Sequence, residues 1–428
     1  MHINNASQAQ LLEWEKELAA EYEGFKLQKL NLDLTRGKPS SRQLDLANDM
    51  DGILSGGYAA ADGTDTRNYG VLEGIQELRK LGGDILGVKP EMVLAAGNSS
   101  LELMHRCVHF AYLFGTHEGA MPWKDEGKIK FICPVPGYDR HFAITQELGI
   151  EMISVSMKDE GPDMDAIEAL LRKDPLIRGI WVVPKYSNPT GVVFSDAVVE
   201  RMAALGRIAA KNFRLFWDNA YAVHDLHDNP PVLANIMDYC ERFGTGDSVL
   251  QFTSTSKISF AGAGVAFLAA SAGNLAKFKK HLGIATIGPD KVNQLRHARM
   301  FPDLRALKDR MQQHAELLRP KFAAVLRSLE ENIKDGDLGR WQVPLGGYFV
   351  SFDARPGVAS EVVRLAGAAG VKLTPAGATF PYGRDPEDRN IRLAPSLPVL
   401  EEVEKTMAVF VTCVKLASVR KQLKGFNA

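Results

Sequence analysis

The chain has 428 residues, 45% of them hydrophobic and 24% charged, with a formal net charge of −1. That length calls for two or more packed units, the charge balance gives no electrostatic basis for a nucleic-acid partner, and no uncharged apolar run approaches the roughly 18 residues that a membrane span needs. Four scattered cysteines (Cys107, Cys133, Cys240 and Cys413) show no C-x-x-C spacing; they argue against a zinc cluster or disulfide scaffold and fit a reducing, cytoplasmic setting.

The N-terminal stretch "MHINNASQAQLLEWEKELAAEYEGF" reads as an acidic amphipathic helix and lacks the apolar run of a signal peptide. "LDLTRGKPS" (32–40) follows as a loop. "AAGNSSLELMHRCVHFA" (95–111) sets Gly-Asn-Ser-Ser directly before an amphipathic helix. Such a start offers free N–H groups, hydroxyls and a positive dipole end to an anion. β-rich runs then appear at 128–135, 150–157, 178–184, 213–218 and 247–254, separated by helical stretches such as 162–174 and 195–212. Continuous apolar strands alternating with helices predict an α/β fold with a mostly parallel sheet covered on both faces. After about Gly288 the pattern changes. A long helical segment (about 303–334, interrupted near Pro320), strands at 346–353 and 390–395, and a terminal helix (398–424) predict a smaller α+β unit. The expected division is an N-terminal arm at 1–50 that also forms part of the small unit, a large unit at 51–300 and a small C-terminal unit at 301–428.

Open parallel sheets bind ligands at the carboxyl ends of their strands. Here "IWVVP" leads into "KYSNPTG", "RLFW" into "DNAY", and "VLQFTS" into "TSK". Lys257 is the unusual residue, because no Asp, Glu, Lys or Arg occurs from Ile258 to Ala276. An amine in such a low-dielectric setting loses proton affinity and becomes a nucleophile suited to a Schiff base with an aldehyde cofactor, commonly pyridoxal phosphate (PLP). That cofactor also needs a carboxylate for its pyridine nitrogen, for which Asp218 is placed. It needs donors for its phenolic oxygen, for which Asn188 and Tyr221 are placed, and a phosphate nest, which Asn98, Ser99 and Ser100 can form. "HDLHD" (224–228) holds metal-type side chains but no matching third ligand, so no metal site is expected.

These motifs in this order, "PVPGY" (134–138), "NPTG", "DNAY", "S-x-S-K", "GGYFVSF" and the late "R-L-A-P-S", resemble the fold-type I PLP-dependent aminotransferases of the class I/II superfamily. In detail they look most like the divergent bacterial aspartate aminotransferase subgroup (type Ic). The resemblance spans nearly the whole chain and implies a large domain with a seven-stranded-type sheet. It implies that Lys257 holds PLP and shuttles a proton, that Asp218 pairs with the ring nitrogen, and that Tyr138 stacks on the ring. Asn98, Ser99, Ser254 and, with them, Ser100 and Ser256 would bind phosphate. Tyr69 would reach the phosphate of a neighbouring subunit in a homodimer with shared active sites. Arg392 would clamp the substrate α-carboxylate beside Asn188. Arg36 is favoured over Lys38 and Arg67 for a distal carboxylate. The family's usual phosphate-binding arginine is missing, its place being Ala263 or Gly264. The implied activity is L-aspartate:2-oxoglutarate transamination by a ping-pong mechanism, with amino and 2-oxo acids as partners. An aromatic or branched donor is the nearest variant. A PLP-binding regulator is disfavoured, because one helix before "LDLTRGKP" leaves no room for a DNA-binding module.

Overall fold

A twisted sheet of eight strands organises the larger part of the molecule in the computed structural model, which describes residues 2–334 and 337–426. In spatial order the strands are Val93–Ala95, Ala266–Ala270, Val249–Ser254, Arg214–Asp218, Ile177–Val182, Lys130–Val135, Glu151–Lys158 and Gly161–Pro162. Ala266–Ala270 runs antiparallel to both neighbours, and Gly161–Pro162 forms a short antiparallel edge; the other neighbouring pairs are parallel. The seven-stranded expectation therefore misses only this two-residue edge.

The strands are apolar on both faces because both are covered. Phe131, Trp181, Phe216 and Leu268 pack under Ser100–Phe114 and Ala272–Ala285. The alternate residues Ile132, Ile180, Leu215 and Trp217 pack under Met164–Lys173, Asp196–Ala204 and Ile236–Phe243. This is the period of two expected of a strand, with no polar face left over.

A second core surrounds the antiparallel sheet of Gly339–Trp341, Val350–Ala354 and Asn390–Leu393. The N-terminal segment belongs to this core, since Ile3, Leu11 and Leu18 are buried in it and Leu32–Asp33 pairs in parallel with Val371–Lys372. The interruption expected near Pro320 does not occur: Leu304–Asn332 is one helix with Pro320 inside it. A proline in a helix interior costs about 3 kcal/mol. Leu318, Phe322, Val325 and Leu329 are buried on that helix, and burial of one such side chain contributes about 1.5–3 kcal/mol, so packing outweighs the lost hydrogen bond. No helix among the described residues is long and apolar enough to cross a membrane.

Candidate active site

The chain turns that follow four strands of the large sheet meet the second core around a cavity of about 690 Å³. Its lining includes Lys257, Asp218, Tyr221, Tyr138, Asn188, Ser100, Arg392 and Arg36. The carboxyl ends of parallel strands bring Tyr138, Asn188, Asp218, Tyr221 and Lys257 together, while Arg36 and Arg392, 356 positions apart, close the site from the side of the second core.

Lys257 sits on a pinched loop just beyond Val249–Ser254. The fully buried Thr255 closes its neck. The Thr255 N–H donates to the Val265 carbonyl, its Oγ1 accepts from the Val265 N–H, and its carbonyl accepts from Ile258 and Ser259, all at 2.8–2.9 Å. The Lys257 Nζ stands 5.1 Å from the centre of the Tyr221 ring. Burial pushes its pKa below the ordinary lysine value, and the negative charge of Asp218 partly opposes this. In cofactor-free protein, reductive methylation of Lys257 should thus plateau at lower pH than that of an exposed lysine such as Lys211, read by mass spectrometry across a pH series. Asp218→Asn should move that plateau lower still, because the influence that raises the pKa is removed.

Asp218 ends its strand buried, at 2% exposure. Its Oδ2 lies 3.0 Å from His141 Nε2, while its Oδ1 is buried with no hydrogen-bond partner. His141 is stacked at 4.6 Å on Trp181, whose Nε1 donates to Thr145 Oγ1. A buried carboxylate is therefore held rigidly from behind while one oxygen awaits a donor. Tyr221 is buried three residues on, and burial raises its pKa well above the usual phenol value; Tyr138 is raised in the same way, again chiefly by burial. Both phenols are donors in this site.

Arg392 enters from the small sheet, where Val350–Ala354 places Ser351 opposite it. Its Nη1 donates to Asp139 Oδ1 at 2.9 Å and to Asn188 Oδ1 at 3.3 Å, and its guanidinium carbon lies 5.0 Å from the centre of the Phe349 ring. Its Nε is buried without a partner. Nη2 makes only a long contact of 3.5 Å to the Thr35 carbonyl, so with Nη1 occupied the Nε–Nη2 edge is the one suited to a carboxylate in bidentate fashion. Because the Asn188 oxygen faces Arg392, its NH₂ is left to donate elsewhere.

Ser100 lines the cavity at the start of helix Ser100–Phe114, but the neighbouring Ser99 Oγ accepts from Glu102 N–H and is the helix N-cap. Asn98 and Ser256 lie together: Ser256 Oγ donates to the Asn98 carbonyl at 2.7 Å, and Asn98 Nδ2 donates to the Gly262 carbonyl at 3.1 Å. Asn98, Ser99, Ser254 and Ser256 do not line the cavity itself. Gly264 explains part of the missing arginine. A Cβ there would lie 2.9 Å from the Ser256 nitrogen, so no side chain fits without moving the lysine loop. Tyr69 is remote and 84% exposed.

Three cations, Arg36, Lys38 and Arg140, line the cavity, and among the described residues none of them makes a contact ion pair, Lys38 acting only at longer range on Asp33. Sequence reasoning missed Arg140, Asp139 and His141, which all follow Tyr138 in "YDRH". The helix that starts at Asp139 fans these three side chains toward different parts of the site.

Residues 6–425 match the family model described as aspartate amino-transferase. A curated relative named aspartate aminotransferase, from Corynebacterium glutamicum, is 48% identical over 404 residues, covering 94% of this chain and 93% of the relative. The crystal structure of an aspartate transaminase from Corynebacterium glutamicum superposes with a TM-score of 0.95 at 46% identity, covering 99% of both chains. LysN, an α-aminoadipate aminotransferase of Thermus thermophilus solved with N-(5'-phosphopyridoxyl)-L-leucine, shares the fold at a TM-score of 0.73 and 21% identity, with 94% and 95% of the two chains covered.

Proposed function

Since the chain belongs to the aspartate aminotransferase family, we propose that this cavity transfers the amino group of L-aspartate to 2-oxoglutarate in two half-reactions at one site. Pyridoxal 5'-phosphate is the cofactor of this family, and the side chains present suit it. The observation that carries the reading is a pair of unsatisfied buried atoms in the lysine's cavity, Asp218 Oδ1 and Arg392 Nε. Buried polar atoms without partners are costly. An anionic acceptor suits a protonated pyridine nitrogen, and a cationic donor suits an amino-acid carboxylate.

When bound, the cofactor accepts electron density from the substrate Cα and carries the amino group between half-reactions. Asp218, backed by His141, would pair through its free Oδ1 with the ring nitrogen and so favour its protonated form. Asn188 and Tyr221 would donate to the phenolic oxygen, and Tyr138 would cover the ring. Lys257, its basicity lowered by burial, takes the α-proton from Cα and returns it on the other half-reaction; a positioned base of this kind contributes about 10²–10⁴-fold. Arg392 orients the α-carboxylate through its Nε–Nη2 edge and so fixes the Cα–H bond relative to Lys257. Ser100 and the helix N-terminus would hold the phosphate, with Asn98, Ser99, Ser254 and Ser256 supporting that part of the site.

Selectivity for a four- or five-carbon dicarboxylate falls to the unpaired cations at the mouth, and Arg36 is the one we assign. Arg36→Ala should lower kcat/KM for aspartate by about 10- to 100-fold and leave alanine or phenylalanine within about threefold, because only a substrate with a distal carboxylate uses that charge. Equal losses on all three donors would count against it. The direct test of the activity is the absorption spectrum of purified protein before and after aspartate, with oxaloacetate measured in the same sample.

The exposed Tyr69 also belongs to this reading. It precedes Gly70, whose carbonyl accepts from the buried Lys291 at 2.9 Å, and Tyr69, Ile284 and Ile287 are all exposed large apolar side chains. Such exposed side chains suit contact with a second copy of the chain, to whose phosphate turn Tyr69 would donate; sedimentation should show a dimer.

A further inference from the structure

Against the backbone of Lys257 and Ile258 lie three linked, buried polar side chains that do not line the cavity and that the reaction does not use. Gln43, His314 and Tyr348 are each 1% exposed or less. Gln43 Nε2 lies 3.1 Å from His314 Nδ1 and 3.0 Å from the Tyr348 hydroxyl. His314 Nε2 lies 3.1 Å from the carbonyl of Ile258, and the Tyr348 hydroxyl lies 3.4 Å from the carbonyl of Lys257.

The donors and acceptors can be assigned without ambiguity. A backbone carbonyl only accepts, so His314 carries its proton on Nε2 and accepts on Nδ1. Gln43 must then present its NH₂ to both His314 and Tyr348, which leaves the tyrosine proton for the Lys257 carbonyl. Burial lowers the His314 pKa to about 4, so the ring is neutral across the working pH range. The set carries no charge, and each member meets a partner.

Three distant parts of the chain are joined here. Gln43 follows the segment whose Thr35, Arg36, Gly37 and Lys38 line the cavity mouth, and its Oε1 accepts from the Ser40 N–H at 3.0 Å. His314 comes from the long helix Leu304–Asn332, and Tyr348 from the turn before Val350–Ala354. Their polar atoms end on the carbonyls of Lys257 and of the residue after it. A core needing only stability would fill this space with apolar side chains, since a partly satisfied network is costly and a satisfied one contributes little net energy.

We infer that Gln43 and Tyr348 are positioning residues, which fix the backbone of Lys257 and tie it to the substrate-covering segment at 35–40. This rests on Lys257 being the cofactor-binding amine. The set sets the direction from which the amine meets the cofactor and the α-proton, so its loss should change reactivity more than substrate binding.

The test uses holoenzyme of Tyr348→Phe, which keeps the ring and the packing, and of Gln43→Leu, which keeps the volume. Three quantities are read: the pH midpoint of the visible absorption change of the lysine-bound cofactor, the split between kcat and KM, and the rate at which cofactor-free protein regains that band on adding PLP. Each variant should move the midpoint by about half a pH unit or more and lower kcat by about 10-fold, with KM for aspartate within about threefold. Band recovery should slow in parallel. The double variant should be no worse than the poorer single one, because the two side chains act as one unit. Variants with lower Tm but an unmoved midpoint, unchanged band recovery and kcat within twofold would overturn the inference and leave a purely structural role. A wild-type protein with no such band would instead overturn the cofactor assignment, and this inference with it.

Discussion

Lys257→Ala is expected to give a folded protein with no visible cofactor band after purification and with kcat lower by at least about 10²–10⁴-fold, the contribution of a positioned base alone. The geometry allows no substitute. Lys38 lines the same cavity but is exposed at its mouth, and Lys185, though buried, is held by Asp225 Oδ1 and the Ala222 carbonyl. Neither shares the arrangement of Lys257, placed at a pinched loop with its ammonium over the Tyr221 ring and within the field of Asp218. The fold should not suffer. Removing a buried ammonium with a lowered pKa relieves a desolvation cost, so the cofactor-free variant should melt no lower than wild type below the ordinary lysine pKa. The sign follows from linkage: a lysine whose folded pKa is depressed penalises the native state while the unfolded chain holds the extra proton, and that penalty fades as pH rises toward the unfolded value. A variant that keeps a band reducible by borohydride onto another lysine would refute the assignment.

The architecture was legible in the sequence because its signals are local. Apolar runs such as "IWVV" and "RLFW" are buried on both faces, and the polar residues after them have no role within the strands, so strand ends and site residues could be read together. Two misreadings have physical causes. Pro320 was expected to interrupt its helix from propensity alone, but the buried side chains on either side of it outweigh one missing N–H. "VAFLAA" (265–270) carries no turn signal, and only its neighbours in the sheet, Val93–Ala95 and Val249–Ser254, make it a strand. Within the site, Lys257, Asp218, Asn188 and Arg392 carry distinctive neighbours and could be found. His141 could not, because its meaning lies in a 3.0 Å contact with a residue 77 positions away. Gln43 and His314 are similar: nothing in "SRQLD" or "QQHAE" marks a polar side chain that meets Tyr348 or the Ile258 carbonyl, beside the lysine, more than fifty residues distant. Arg140 was missed because a charged residue on the first turn of a helix is indistinguishable from a solvated one until the cavity wall is known.

Asp218→Asn should retain cofactor but lose about 10- to 10³-fold in kcat. An adjacent carboxylate raises the pKa of a cationic partner by about 1–3 units, and at ~1.4 kcal/mol per unit that is the electron-withdrawing power lost when the ring nitrogen gives up its proton. Asn keeps the shape and can still meet His141, so packing changes little. The thermal behaviour should separate electrostatics from structure. In cofactor-free wild type, Oδ1 is buried without a hydrogen-bond partner, and although His141 at Oδ2 and the nearby Lys257 offset part of the charge, burying an oxygen that lacks a donor is costly. The neutral amide removes that cost. Cofactor-free Asp218→Asn should therefore melt at or above the wild-type temperature, while the rise in Tm on adding cofactor should be smaller than in wild type, because the new ion pair can no longer form. A variant that melts lower without cofactor but stabilises by the full amount with it would place Asp218 among the structural residues and remove the ring nitrogen as its partner. If kcat also stayed within threefold, the claim that this carboxylate maintains the ring's proton would fail. Catalysis would then rest on Lys257 and Arg392 alone, which stand on other segments than the strand Arg214–Asp218.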